Sequence, residues 1–273
     1  EDFRNEVRRA HEIAEGRPFG VNLYVSARPE ANEQLQLFLD ISIDEGVRFV
    51  ETAGYSPKAF MPKIRDAGIT VIHKCTTLRH AQSAARAGVD AVTILGAEAG
   101  GHPGVDLIGT MVQGAIVPAA LDIPVVLAGG MGTGRQLMAC LALGADAMLL
   151  ASRMIVSREI WAHADYKAHV AGIGPEATRL IMSSFGDSSR VIDNDSAAAV
   201  LALEADGVTD FEAYRPHVQG TLQRDTYTTG DWRRGTMSMG QSVAFADRIE
   251  PVEAIIDGIM AEAVSVRDRL QTL

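Results

Sequence analysis

A histidine enclosed by glycines marks the first place where chemistry is expected. In Gly96-Ala97-Glu98-Ala99-Gly100-Gly101-His102-Pro103-Gly104, the imidazole of His102 is the side chain suited to exchange a proton near neutral pH. The glycines let the backbone approach a flat ligand and take up dihedrals that a Cβ disfavours. The plainer account of the same residues is a surface turn with a solvated imidazole. A second run, Ala128-Gly129-Gly130-Met131-Gly132-Thr133-Gly134, opens into a helical segment, and a later apolar run ends in Ala151-Ser152-Arg153. Glycine turns at helix N-termini present unpaired N–H groups to an anion such as a phosphate. A tight turn without a ligand has the same composition.

Lys74 stands near the end of a short apolar run, between His73 and Cys75. A charged amine there needs a partner or a route to solvent. The anionic edge of a flavin is one such partner. Asn22 lies inside another short run, and Gly235-Thr236-Met237-Ser238-Met239-Gly240-Gln241-Ser242 reads either as a flap over a ligand or as a mobile connector. His73 and His80, like His163 and His169, lack the close spacing of metal ligands, so no metal site is expected. Trp161 and Tyr166 read as packing residues. The pattern Gly130-x-Gly132-x-Gly134 departs from GxGxxG, and the next run ends in Leu149-Leu150-Ala151-Ser152 without an acid for a ribose, which argues against a Rossmann site. A Walker loop and a GxSxG elbow are absent.

These residues need elements to position them. Short β-branched runs at 19–25, 47–53, 69–75, 91–96, 124–130 and 147–153 alternate with amphipathic segments at 33–45, 57–67, 78–87, 110–121 and 135–143. Near-continuous apolar strands are buried on both faces, as in a parallel sheet, and the alternation reads as βαβ units. Gly46, Gly68, Gly88 and Gly144 each fall where a helix ends, a place for the left-handed conformation. Ala87-Gly88-Val89-Asp90-Ala91-Val92 resembles Leu143-Gly144-Ala145-Asp146-Ala147-Met148, a quasi-repeat that fits a (β/α)8 barrel. The fold class predicted is α/β, a TIM barrel with an inserted α+β lid subdomain, the visible strands being strands 3–8 and the first βα units missing from this chain. Residues 1–157 form the barrel, 158–242 the lid, and 243–273 a C-terminal helix returning to the barrel. Within the lid the pattern predicts a helix at 158–170, a hairpin at 178–192 around Phe185-Gly186-Asp187, short helices at 195–206 and 209–219, and a loop at 225–242. The final long helix spans 251–271. In such barrels function sits on the loops after the strands, and phosphate on the last two.

Composition narrows the classes. The 273 residues are 47% hydrophobic and 22% charged, an ordinary globular balance. A net charge of −10 gives no footprint for nucleic acid or an anionic membrane surface. Apolar stretches are too short for a membrane span, and Glu1-Asp2-Phe3-Arg4 is no signal peptide. Cys75 and Cys140, each in an apolar segment, suit a reducing compartment, so the expected location is cytoplasmic.

LGAEAGGHPG (95–104), with VIHKCTT (71–77), LAGGMGTGRQ (127–136) and MGQS (239–242), resembles the nitronate monooxygenases, once called 2-nitropropane dioxygenases, which are FMN-dependent TIM-barrel enzymes. The resemblance implies that His102 is catalytic. It implies flavin contacts at Asn22 and Lys74, phosphate loops at Gly129-Gly130 and Leu149-Leu150-Ala151-Ser152, and cofactor contacts at Gly100, Gly101 and Gln241. Three departures stand out: the family's opening Gly-Pro-Met segment is absent, Leu95-Gly96 replaces Gln-Gly, and Leu149–Ser152 replaces Gln-Met-Gly-Thr. The activity implied is oxidation of alkyl nitronates or nitroalkanes with O2, in a chain able to form a homodimer. An alternative in the same superfamily is an NAD(P)H-dependent FMN reductase of the enoyl-acyl-carrier-protein or quinone type. A non-enzymatic barrel binding a phosphorylated ligand is the third reading.

Overall fold

The computed structural model describes residues 2–272. In chain order it contains α1 (Asp2–Ala14), β1 (Gly20–Val25), α2 (Asn32–Asp44), β2 (Phe49–Gly54), α3 (Met61–Asp66), β3 (Thr70–Cys75), α4 (Leu78–Ala87) and β4 (Ala91–Leu95). There follow α5 (Thr110–Ile116), β5 (Val125–Ala128), α6 (Gly134–Ala142) and β6 (Ala147–Leu149). The remainder holds α7 (Ala164–Ala171), β7 (Thr178–Ile181), β8 (Ser189–Ile192), α8 (Asp195–Ala205), α9 (Phe211–Val218), α10 (Gly220–Thr229) and α11 (Val252–Leu270). The sheet runs β1-β2-β3-β4-β5-β6 in sequence order, the βα succession of a TIM barrel. The chain divides into two compact units, Glu1–Ile94 with Ile116–Val126, and Leu95–Ala115 with Leu127–Leu273.

In the first unit β1, β2 and β3 pair in parallel, with Asn22 opposite Glu51 and Glu51 opposite Ile72. Val50, Val71 and Val92 are fully enclosed, as near-continuous apolar strands demand. Helix α4 begins where the Thr77 hydroxyl accepts from His80 N–H and stops at Gly88, φ +91°. Gly46, Gly68 and Gly144 also take positive φ.

In the second unit α6 opens on a capping box between Thr133 and Gln136 and packs on α11, where a Cβ at Gly134 would run into Ile259 O and Ala263 N. The antiparallel hairpin β7–β8 is as predicted, and with α8 and α9 it encloses Ile181, Val191, Val200 and Tyr214. Three expectations are corrected. The helix expected at 158–170 starts only at Ala164, because the buried Lys167 Nζ donates to the carbonyls of Ser157 (2.6 Å), Arg158 (3.2 Å) and Ile160 and so holds that stretch open. The loop expected at 225–242 begins later, since α10 runs to Thr229 and ends at Gly230, φ +81°. Strand β6 ends at Leu149, and a 3-10 turn, Ser152–Val156, takes up the rest of its run. Among the described residues no helix is long and apolar enough to cross a membrane.

Candidate active site

Two positions singled out in the sequence, Asn22 and Lys74, belong to the first unit, and the others to the second. In the first unit Asn22 Nδ2 donates to Glu51 Oε2 at 2.6 Å, and Lys74 Nζ lies 2.8 Å from the same oxygen. The sequence reading looked for a partner of Lys74 in a flavin or in water. The structure supplies a carboxylate from the neighbouring strand, three-quarters enclosed like the lysine itself. On the other face of β3, His73 Nδ1 lies 2.8 Å from Thr52 Oγ1, and burial, assisted by the charge of His80, pushes the imidazole down to about 4. It is therefore neutral at physiological pH.

In the second unit the loops after β4 and β6 meet the 238–242 segment, and the β4 loop also meets the end of β5. Gly96 N donates to Ala128 O (2.9 Å), Gln241 N to Glu98 O (2.9 Å), and Gly240 N to Ser152 Oγ (2.8 Å). Gly100 and Gly240 touch through their backbones. A Cβ on Gly100 would stand 2.6 Å from Gly240 N, so glycine is required there. Gly101, at φ +73°, exchanges backbone hydrogen bonds with Arg190. These contacts bring Gly100, Gly101, Ser152 and Gln241 together. Leu149 and Leu150 are half-buried, and Ala151 is exposed.

Gly129 and Gly130 take successive positive φ values, +105° and +70°. Gln136 Nε2 donates to Gly130 O at 2.7 Å, and the Thr110 hydroxyl, whose single proton is shared with Glu98 Oε2 at 2.7 Å, lies 2.9 Å from Gly129 O. Among the described residues neither N–H has a hydrogen-bond partner. A pair of unpaired amides in such a turn is an anion nest. It suits a phosphate. Ser152 spends its lone pair on Gly240 N–H and keeps its hydroxyl proton for an acceptor. A cavity of about 370 Å3 opens beside this turn, lined by Glu98, Thr110, Gly129, Gly130 and Gln241 among apolar side chains.

His102 is 64% exposed, and its Nε2 lies 3.7 Å from Asp187 Oδ1 in the β7–β8 turn. The imidazole is open to solvent and faces the Asp187 carboxylate. Cys75 and Cys140 are buried free thiols, pushed up by burial to about 12 and about 11, which removes them as nucleophiles. Tyr166 is fully buried as a packing residue, whereas Trp161 is 69% exposed. Among the described residues no cluster of three or more His, Cys, Asp or Glu is arranged to hold a metal ion.

Sequence reasoning missed Glu51, Glu98, Thr110, Gln136, Asp187 and Arg190. Gln136 was open to it, since Thr-x-x-Gln before a helix is a capping box. Here its side chain also accepts from Gly132 N (2.8 Å) and Thr133 N (3.1 Å), shaping the whole turn. The others depend on contacts across long separations and carry no local signal.

The nitronate monooxygenase family model matches residues 1–262. Among relatives, a (3aS,4S,5R,7aS)-5-hydroxy-7a-methyl-1-oxo-octahydro-1H-indene-4-carboxyl-CoA dehydrogenase of Rhodococcus jostii is 27% identical, over 94% of this chain and 81% of that protein. A nitronate monooxygenase of Pseudomonas aeruginosa is 30% identical, over 74% of this chain and 59% of its own. Among solved structures, FabK from Thermotoga maritima superposes with a TM-score of 0.87 at 28% identity, covering 98% of this chain and 84% of that one. The nitroalkane oxidase from Streptomyces ansochromogenes gives 0.76 at 25% identity, covering 98% and 87%.

Proposed function

The chain belongs to the nitronate monooxygenase family, and from that premise we propose that it is an FMN-dependent enzyme oxidising alkyl nitronates or nitroalkanes with O2. The observation that carries the reading is the Gly129–Gly130 turn, whose amides stay unpaired. Bound FMN supplies electron transfer between the substrate and O2. Gly129, Gly130 and the 149–152 loop would hold its phosphate, and Gly100, Gly101 and Gln241 would supply further contacts to it. Family resemblance adds Asn22 and Lys74 as flavin contacts. The Glu51 carboxylate beside both tempers the positive charge that Lys74 offers.

His102 handles the proton. Its neutral imidazole takes the α-proton of a nitroalkane, leaving the nitronate; with a nitronate already formed, the imidazolium holds the nitro oxygens by a charged hydrogen bond. Residues 158–242 shape the substrate side of the pocket. The test is the absorption spectrum of the purified protein, followed by turnover of nitroethane and ethylnitronate by His102→Ala. Flavin bands and a loss of about 10²-fold or more on at least one substrate are expected. A colourless protein, or wild-type turnover of both substrates, overturns the reading.

A second reading keeps the flavin and changes the electron source, to NAD(P)H-dependent reduction of an enoyl thioester or a quinone. The likeness to FabK supports it. The Rhodococcus relative supports a neighbouring variant, oxidation of a CoA thioester. Anaerobic mixing separates them: rapid bleaching of the flavin band by NADH or NADPH favours the reductase, and bleaching by nitronate alone favours the first reading.

A further inference from the structure

Hairpin β7–β8 is bound to the His102 loop at several points. Gly101 N donates to Arg190 O (3.0 Å), and Arg190 N donates back to Gly101 O (2.6 Å). The Arg190 guanidinium closes on the start of the loop, with Nε at 3.2 Å and Nη2 at 3.0 Å from Ala97 O. Its Nη1 reaches Thr178 Oγ1 on β7, at 3.3 Å. Met239 N donates to Arg190 O (3.2 Å), so the 238–242 segment joins the same residue. From the turn of this hairpin Asp187 faces His102.

A loop containing Gly96, Gly100, Gly101 and Gly104 loses much backbone freedom when ordered, and two of these glycines sit at positive φ. Such a loop does not hold an exposed imidazole in one place by itself. The restraint has to come from outside, and Arg190 fastens Ala97 ahead of the Gly-Gly pair and Gly101 within it. An arginine suits the task because its planar fork brings two N–H groups to one carbonyl, whereas a lysine can offer the same carbonyl a hydrogen bond with looser geometry.

We propose that Arg190 is a positioning residue for His102, acting by clamping the 97–101 backbone, with Asp187 as the weaker tie on the imidazole. The proposal rests on the reading of His102 as the proton-handling group. It adds that reaction geometry depends on a hairpin outside the βα units.

The test uses flavin-loaded Arg190→Met, Arg190→Lys and Asp187→Asn, with ethylnitronate and nitroethane as probes and amide hydrogen exchange as an independent readout. The backbone bonds between residues 101 and 190 survive each substitution, so the fold is retained. Arg190→Met is expected to lower kcat by about 10- to 100-fold, since a misplacement of the order of 1 Å costs about that much, with KM nearly unchanged. Exchange in the 96–104 segment should rise in parallel. Arg190→Lys should recover part of both losses, and Asp187→Asn should cost only a few-fold. A raised KM at constant kcat overturns the proposal, because it makes Arg190 a substrate contact. So does unaltered exchange at 96–104, or an Arg190→Lys variant no better than Arg190→Met. His102→Ala at wild-type turnover overturns the proposed function instead, while hydrogen exchange still decides whether the clamp exists.

Discussion

In the first unit the polar side chains on the strands are satisfied by one another: Asn22 and Lys74 converge on Glu51, and His73 on Thr52. In the second unit the side chains do the opposite. Gln136 occupies the carbonyl of Gly130 and leaves the amides of Gly129 and Gly130 open, and Arg190 occupies the carbonyl of Ala97 and leaves His102 exposed. Closed polar networks hold a structure together, whereas a turn with two successive unpaired amides, such as Gly129–Gly130, is ready for an anion. The two units thus differ in how their polar groups are spent: on one another in the first, and around unpaired amides in the second.

The strongest way to break this contrast is at glycine. Gly129→Ala would put a Cβ 2.8 Å from Thr110 Oγ1 and 3.0 Å from Gly96 O, at φ +105°. Left-handed strain and overpacking together cost about 2–4 kcal/mol, and the anion turn is distorted. Loss of flavin from the purified variant and a lowered urea midpoint are expected. Gly46→Ala, also left-handed at φ +74° but with nothing within 4 Å of the added carbon, should cost only about 1–2 kcal/mol and leave flavin content unaltered. Equal flavin loss in both variants would remove the distinction between the units.

A pH series probes the closed network. The folded-state value of His73, about 4, lies below the ordinary imidazole value, because burial disfavours the charged form. The unfolded chain therefore takes up a proton that the native state refuses. Its contribution is complete above about pH 6.5 and declines as pH falls toward 4, by on the order of 3 kcal/mol. Urea unfolding at pH 7 and pH 4.5 should show this decline in wild type and a shallower one in His73→Asn. Parallel curves would make the Thr52–His73 pair irrelevant to acid stability.

Sequence patterns revealed most where the signal is local. Helix α4 was legible to the residue because Thr77 caps it and Gly88 ends it. The β7–β8 hairpin was legible from its two β-like runs around Gly186. The partners of the candidate site residues were not. Glu51 meets Asn22 and Lys74 only through strand register, and Asp187 and Arg190 reach the His102 loop across most of the second unit. The stretch before α7 misled for a related reason: its helical pattern is intact, but Lys167 takes its carbonyls. Local propensity loses where a distant or buried side chain offers backbone groups a better partner.

The Glu51 network also sharpens the contrast through the flavin itself. Glu51→Gln keeps a hydrogen-bond acceptor for Asn22 and removes the negative charge beside Lys74. With Lys74 as the flavin contact that family resemblance implies, the flavin potential should rise, by on the order of 30 mV, which equals about 1.4 kcal/mol for two electrons. Spectroelectrochemical titration of both proteins reads the difference. An unaltered potential would remove Lys74 from the flavin contacts.

The smallest effect is expected at the surface of that unit, on α1. Glu45 is held down at about 2 by hydrogen bonds from Arg8 and then Arg4, and Arg4 also meets Asp44 at 2.9 Å. Because the folded value is depressed, the stabilisation exists above the ordinary carboxylate range and is lost as pH falls from about 4.5 through 2. The groups lie at the surface, so water and salt screen the pairing and the net gain is small. The protection factors of the α1 amides, which allow for the slower intrinsic exchange in acid, should fall at pH 3, and more modestly on adding 1 M salt at pH 7, with no change in flavin content. Arg8→Ala should reproduce the salt effect, since it removes the larger of the two contributions to Glu45. A loss of flavin in step with the loosening of α1 would instead tie this helix to ligand binding.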